Sequence, residues 1–420
     1  MRRVIAAALT ASALALGAAA CGDDSSSSGQ QKLTWFIATQ PGGSLEKIAK
    51  RCSDASDGRY RISIELLPTQ ADAQREQLVR RLGAEDSSID LVGMDVVWTG
   101  EFANAGWVQE VPRERREALT RNVFRSILRS AQFEDRLYAA PIWSNTQLLW
   151  YRKDLVKEPP RTWDEMLDEA ERLGAKGKVQ VQAKRYEGLV VWANAMIASA
   201  GTAILTGPEQ VGLEPRATER ALALMGRLGR SSAAAPDIGT SNEDSARMGF
   251  ESGSSAFMIN YPFVFPSAKA NAPDVFKEMG AAKYPAVDAD RPSAPPLGGF
   301  NIGVSKFSKH SDLAWDAVEC LVSKRNQLEV TELEGLPPVR EDLFDEPAIR
   351  KAYPGFADVI RDSIADASPR PSESPAYQDL SLAVQRALHP VSDIDPRDPK
   401  AAYDRLKDKV EQAVKREGLL

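Results

Sequence analysis

The run Ile89 to Trp107, IDLVGMDVVWTGEFANAGW, passes at once from apolar residues to a carboxylate, Asp95, and then to an indole, Trp98. In open α/β sheets ligands bind beyond the carboxyl ends of strands, so an acid and an aromatic placed there are candidate ligand groups. The same spacing fits a second reading, in which Asp95 caps a turn and Trp98 packs beneath it. The rest of the chain narrows the chemistry further. Its two histidines, His310 and His389, sit in polar surroundings, which argues against a histidine-based metal site or a catalytic triad. No GxxxxGK, HExxH or GxSxG motif occurs, and no catalytic residue, metal or cofactor is expected.

The elements that must position Asp95 begin with an apolar strand from Leu33 to Ile37 and an alternating one carrying Tyr60, Ile62, Ile64 and Leu66. Helices follow each, the first capped by Ser44 and the second marked by Leu78, Val79 and Leu82. With Ile89 to Gly93 this is a βαβαβ run, which implies a parallel sheet with helices on its faces. Arg115 to Ser130 reads as one helix. Leu137 to Trp143 and Leu148 to Tyr151 read as strands flanking Ser144-Asn145-Thr146, where the chain is expected to cross to a second lobe. There, Thr162-Trp163-Asp164-Glu165 opens a helix with a capping box, Gly188 to Ala200 is an apolar helix and Ala256 to Asn260 a strand. A Pro-rich connection from Pro285 to Pro296 leads to a strand at Phe300 to Val304, and the remainder is mostly helical. Trp150 and Trp192, with apolar neighbours, are assigned to the core.

Residues 1–21 combine Arg2 and Arg3, an apolar run from Val4 to Leu16, and Ala18-Ala19-Ala20 before Cys21. This pattern is a secretory leader, too short in its apolar core to be a stop-transfer helix. The small residues before Cys21 resemble a bacterial lipobox, with Ala18 where that pattern prefers Leu, so Cys21 is the expected lipidation site. Residues 22–31, rich in Ser, Asp and Gly, read as a flexible tether. About 400 residues then remain, beyond the size at which one core divides, so two lobes are expected. The net charge of −6, with Lys and Arg interspersed among Asp and Glu, argues against nucleic acid as a partner. Cys52 and Cys320 remain, on apolar faces of two helices. In an oxidising compartment pairing is the economical reading, the alternative being two separately buried thiols.

Several blocks together carry a family resemblance: Leu91 to Trp107, Asn145 to Asp154, Glu187 to Trp192, Tyr261 to Phe265, Gly298 to Asn301 and Gly335 to Pro338. From Lys47 to Leu420 the chain resembles the extracellular solute-binding proteins of carbohydrate ABC importers, most of all the trehalose-binding lipoproteins of mycobacterial importers. The resemblance implies a two-lobed α/β fold, periplasmic-binding-protein-like (type II, hinge-closing), with a helical C-terminal part. It implies a first lobe of residues 32–143 plus about 298–345, and a second of 144–297 plus about 346–420. It also implies a disaccharide such as trehalose as ligand, membrane permease subunits as partners with ATP hydrolysis elsewhere, and a monomer held to the outer face of the cell membrane. Carried over by position, the ligand contacts are Asp95, Asn145, Glu243, Gly299 and Arg370, with Tyr261 where the relatives have Trp. Cys52 and Cys320 also fall at cysteine positions of the relatives. The segment between Phe265 and Gly298 is shorter here.

These residue types suit a sugar. Asp95 and Glu243 can each accept from two hydroxyls, Asn145 can donate and accept, and Arg370 donates in a fixed fork. Tyr261 offers a ring face with a polar rim. Each has a plainer reading beside it: Glu243 could close a capping box begun at Thr240, Asn145 could serve a turn, Arg370 could be a solvated loop charge, and Tyr261 could be core. Two carboxylates beside a sugar also describe a glycoside hydrolase, but the resemblance places Asp95 and Glu243 on opposite lobes as hydroxyl acceptors, and no turnover is expected.

Overall fold

The computed structural model describes residues 29–415. The leader, Cys21 and residues 22–28 of the tether lie outside the described residues. Gln31, grouped with the tether on composition, is the first residue of a strand, its N–H donating to the Arg59 carbonyl over 3.0 Å.

Strands β1 (Gln31–Ala38), β2 (Tyr60–Leu67) and β3 (Leu91–Asp95) pair in parallel in the order β2-β1-β3. The helices between them, Ser44–Asp54 and Ala71–Gly83, make this the expected βαβαβ run. Helix Ser44–Asp54 buries Leu45, Ile48, Ala49 and Cys52, an i, i+3, i+4, i+7 stripe. Full burial of each Leu or Ile on such a stripe is worth about 1.5 to 3 kcal/mol. The cap of that helix differs from expectation. Gly43 occupies the N-cap position in a left-handed conformation, and the Glu334 carboxylate accepts from the N–H groups of Gly42 (2.7 Å) and Ser44 (2.9 Å). An acid 290 residues away thus does what the Ser44 hydroxyl was expected to do.

After the short hairpin of β4 (Gln132–Phe133) and β5 (Arg136–Leu137), β6 (Ala140–Thr146) forms the far edge of the same sheet. The sheet is mixed rather than wholly parallel, because a late strand, β11 (Leu297–Val304), runs antiparallel between β3 and β6. Ser144, Asn145 and Thr146 belong to β6 rather than to a connection, and Gln147 alone separates it from β7 (Leu148–Arg152). With β7 the chain enters a second sheet, ordered β10-β7-β9-β8, that also contains β8 (Lys178–Gln180), β9 (Ser255–Asn260) and β10 (Met279–Ala282).

Helix Glu187–Ser199 is buried along almost its whole length, including Trp192, and packs with helices Pro215–Arg230 and Tyr377–Leu388 over the second sheet. Trp150 is fully buried on that sheet, as its neighbours suggested. The segment read as one helix from Arg115 to Ser130 is broken. Helices Arg116–Thr120 and Arg125–Ser130 are separated where Asn122 adopts φ 57° and Phe124 N–H donates to the Val339 carbonyl over 3.1 Å. A long-range pairing overrides the local helical pattern there.

The segments that link the sheets lie side by side. Ser144 N–H donates to the Pro337 carbonyl, Leu297 N–H to Ser368, and Ser368 N–H to Pro295. The sulfurs of Cys52 and Cys320 meet at bonding distance with their Cα atoms 5.7 Å apart.

Candidate ligand-binding site

A cleft of about 820 Å³ opens where the C-terminal ends of β3 and β6 and the start of β11 face elements of the second sheet. The strand order explains the location, since β3 and β6 both end at this edge and Asp95 and Asn145, at or next to their ends, line the cleft. All six residues carried over from the family resemblance line it: Asp95, Asn145, Glu243, Tyr261, Gly299 and Arg370.

Asp95 closes β3 and serves two purposes. Its Oδ1 accepts from Val97 N–H (3.1 Å) and its carbonyl from Trp98 N–H (2.9 Å), so the turn reading is met. The same Oδ1 accepts from Arg370 Nη2 at 2.9 Å. Trp98 takes the plainer of its two readings: it is buried, stacks on Phe102 and meets Phe300 edge-on, and does not line the cleft.

Arg370, read as a loop residue, is not a solvated charge. Its side chain is 2% exposed and lies between Asp95 and Glu187, the second partner accepting from Nη1. Glu187 begins the apolar helix Glu187–Ser199 and also accepts from the hydroxyls of Tyr377 and Ser381, both on helix Tyr377–Leu388. Burial works against the Arg370 charge, but Asp95, Tyr377 and Glu187 around it hold the proton more tightly than usual. Burial pushes the Asp95 carboxyl above the ordinary carboxylate range in spite of Arg370.

Glu243 is the first residue of helix Glu243–Glu251, not its capping residue. Asn242 and Ser245 form the capping box, which leaves the Glu243 carboxylate to the cleft. It accepts from the Tyr186 hydroxyl at 2.7 Å, and burial raises its affinity for a proton. Tyr261 follows β9 and is half-buried, and burial beside Glu243 raises its phenol further above its usual value. A Cβ on Gly298 would lie at an ordinary contact distance, 3.5 Å, from the Tyr261 ring, so the aromatic sits beside β11. Asn145 pairs with Gly298 across the sheet. At Gly299, φ is 127° and a Cβ would fall 2.4 Å from the Trp143 carbonyl, so only glycine permits this approach of β11 to β6.

The sequence reading missed three cleft residues that shape this site: Tyr186, Glu187 and Glu334. A signal existed for Glu187, an acid at the head of a helix that is apolar all round. An acid at that position is ordinarily explained by the helix dipole alone.

Taken together, the site offers carboxylate acceptors, an amide, a fixed guanidinium and an aromatic ring around an open cleft, the inventory for a polyhydroxylated solute. Residues 39–328 match the bacterial extracellular solute-binding protein family. The chain belongs to that family. Among its relatives, a probable ABC transporter-binding protein of Deinococcus radiodurans is 27% identical over 79% of this chain and 81% of its own. A galactooligosaccharide-binding protein of Bacillus subtilis is 22% identical over 96% of this chain and 95% of its own. Among solved structures, maltose-bound T. maritima MalE3 superposes with a TM-score of 0.81 at 23% identity, covering 90% of this chain and 99% of that one. The fold of this solute-binding protein is therefore the expected two-lobed α/β architecture, with the cleft between its lobes. Membership in an extracellular family places it outside the cytoplasm.

Proposed function

We propose that this solute-binding protein captures trehalose or a closely related disaccharide and delivers it to the permease of an ABC importer. The observation that carries the reading is the convergence of Asp95, Asn145, Glu243, Tyr261 and Arg370 on one cleft between the two sheets. Sugar hydroxyls pair with charged acceptors and fork-like donors, and a sugar ring face packs on an aromatic. The galactooligosaccharide and maltose ligands named for its relatives support a saccharide.

In this reading the sugar touches both lobes, one built on the sheet of β1, β2, β3, β6 and β11 and the other on the sheet of β7 to β10, and stabilises the form in which they are closed. Cys21 carries the lipid that keeps the monomer at the outer membrane face, and a Cys52–Cys320 disulfide forms in the oxidising compartment. In this reading the carboxylates bind hydroxyls rather than react, Asp95 being held by Arg370 and Glu243 by Tyr186. Incubation with trehalose and maltose is expected to release no glucose.

Thermal unfolding of the soluble domain against a sugar panel tests the reading. A ligand at a hundred times its Kd adds about 2.7 kcal/mol of apparent stability, and trehalose is expected to give the largest shift. A clear shift with maltose and none with trehalose at millimolar concentration reassigns the ligand to another α-glucoside. No shift with any saccharide overturns the reading.

A further inference from the structure

The cleft is lined by five carboxylates, those of Asp95, Glu187, Glu243, Asp244 and Glu334, against two guanidinium groups, Arg247 and Arg370. Neither cation is free. Arg247 pairs with Glu251 at 2.7 Å and reaches Asp244 at 3.5 Å. Arg370 is held between Asp95 and Glu187, and of its fork only Nε has no partner. Arginine recognises a carboxylate or phosphate by offering two parallel N–H groups to it. Here the paired Nη groups of Arg370 are already turned toward two protein acids.

Glu187 is the acid that makes this so from the second lobe. Three donors fix its carboxylate: Arg370 Nη1 and the hydroxyls of Tyr377 and Ser381. Its carboxylate is therefore fixed beside the ligand space, and together with the larger effect of burial it raises the Asp72 carboxyl above its usual value. Two further acids, Glu243 and Glu334, pair with no cation among the described residues: Glu243 accepts from a phenol and Glu334 from backbone N–H groups.

We propose that Glu187 is a specificity-determining residue which, as a second acid on an Arg370 already paired with Asp95, confines the cleft to uncharged saccharides and rejects anionic ones such as uronates and sugar phosphates. The inference rests on the saccharide reading given above. Its chemical content is a charge rule: a ligand carboxylate brought into the cleft meets a surplus of like charge and no unpaired cation, in a setting where screening by water is weak.

The test uses trehalose and maltose, each beside two nearly isosteric derivatives in which one hydroxymethyl group is replaced by a carboxylate or by a carboxamide. Binding is measured by calorimetry on the soluble domain at neutral pH. The carboxamide controls for shape, so the ratio of carboxamide to carboxylate affinity reads charge alone. The wild-type ratio is expected to be about tenfold or more, and to shrink as ionic strength rises. In Glu187→Gln the ratio is expected to fall about tenfold, whatever happens to the absolute affinities, because the cleft loses one negative charge and Arg370 keeps Asp95 as its single acid partner. Circular dichroism confirms folding, and Glu187→Ser serves if the amide is not accommodated. Equal wild-type affinity for carboxylate and carboxamide overturns the charge rule while leaving the saccharide reading intact. An unchanged ratio in a folded Glu187 variant overturns the role of Glu187. Failure of both neutral disaccharides to bind overturns the saccharide reading, and the inference with it.

Discussion

Arg370 Nη2 donates to Asp95 Oδ1 over 2.9 Å, joining the end of β3 to a segment that leads into the helices of the second sheet. The two residues are 275 positions apart, and the pair spans the two halves of the cleft. With Glu187 on its other side, the guanidinium is a buried cation between two acids, so removing it leaves two partly buried carboxylates facing each other. Arg370→Ala is therefore expected to cost about 3 to 5 kcal/mol of stability, whereas Asp95→Asn costs less because a hydrogen bond to Arg370 survives. Urea unfolding of both variants, with sugar affinity measured on whatever remains folded, checks this order. Equal stability of Arg370→Ala and wild type would show that the ion triad is not formed in solution.

Acid pH separates binding from stability. Burial raises the proton affinity of Asp95 and Glu243 in the folded protein. For a raised carboxyl, the folded state takes up its proton before the unfolded chain does. The two groups therefore favour the fold below the ordinary carboxylate range, and that contribution is lost as pH rises through their raised values. Sugar binding has the opposite sign, because a protonated carboxyl loses acceptor capacity for hydroxyls. Affinity is expected to decline on acidification from a pH above the usual carboxylate range, and Glu243→Gln to bind more weakly at neutral pH with a flatter profile. A wild-type affinity constant between pH 7 and pH 4 would remove ionised carboxylates from the binding step.

Tyr261 separates ring stacking from its hydroxyl. Tyr261→Phe keeps the ring beside Gly298 and is expected to lose at most a few-fold in sugar affinity, while Tyr261→Ala loses about tenfold or more. Fluorescence or calorimetric titration of both variants distinguishes them, and equal losses would assign the contribution to the phenol instead.

Gly299→Ala tests the close approach of β11 to β6. The added methyl would meet the Trp143 carbonyl at 2.4 Å and the Ser144 Cα at 2.9 Å, on a backbone with φ 127°. Strain and overlap together are expected to cost about 2 to 4 kcal/mol and to displace Asn145 from the cleft edge. Chemical denaturation reads the first effect and ligand affinity the second.

Replacing Cys52 and Cys320 together by Ser is expected to lower stability by about 2 to 5 kcal/mol, since the bridge closes a loop of 268 residues. Neither cysteine lines the cleft, so sugar affinity at a temperature where the variant is folded is expected to remain within about twofold. Denaturation with and without reductant, compared with the double variant, measures the contribution.

How much of this was legible in the sequence depended on whether the signal was local. The βαβαβ run was, because alternation in β2 and the apolar stripe of helix Ser44–Asp54 each sit within a dozen residues. Asp95 at a strand end was also legible, although its indole neighbour Trp98 turned inward to the core. The remaining cleft residues came from family resemblance, since nothing near Arg370 announces that two acids far along the chain will enclose it. Glu334 had no local signal at all, for its partners Gly42 and Ser44 lie about 290 residues away. The antiparallel entry of β11 was hidden for the same reason: pairing direction depends on where the chain returns from the second sheet.

Gln147 alone joins β6 to β7, and this brevity makes the junction a matter of parity. Side chains along a strand alternate between faces, so one residue added there would turn every residue of β7 to the opposite side. Leu149 and Trp150, which now serve different cores, would exchange places, and Trp150 would no longer meet Phe356. Two added residues restore the alternation and only lengthen the bridge. Length variation at this junction should therefore come in even steps, whereas the Pro-rich return, residues 283–296, lies between strands and carries no such rule.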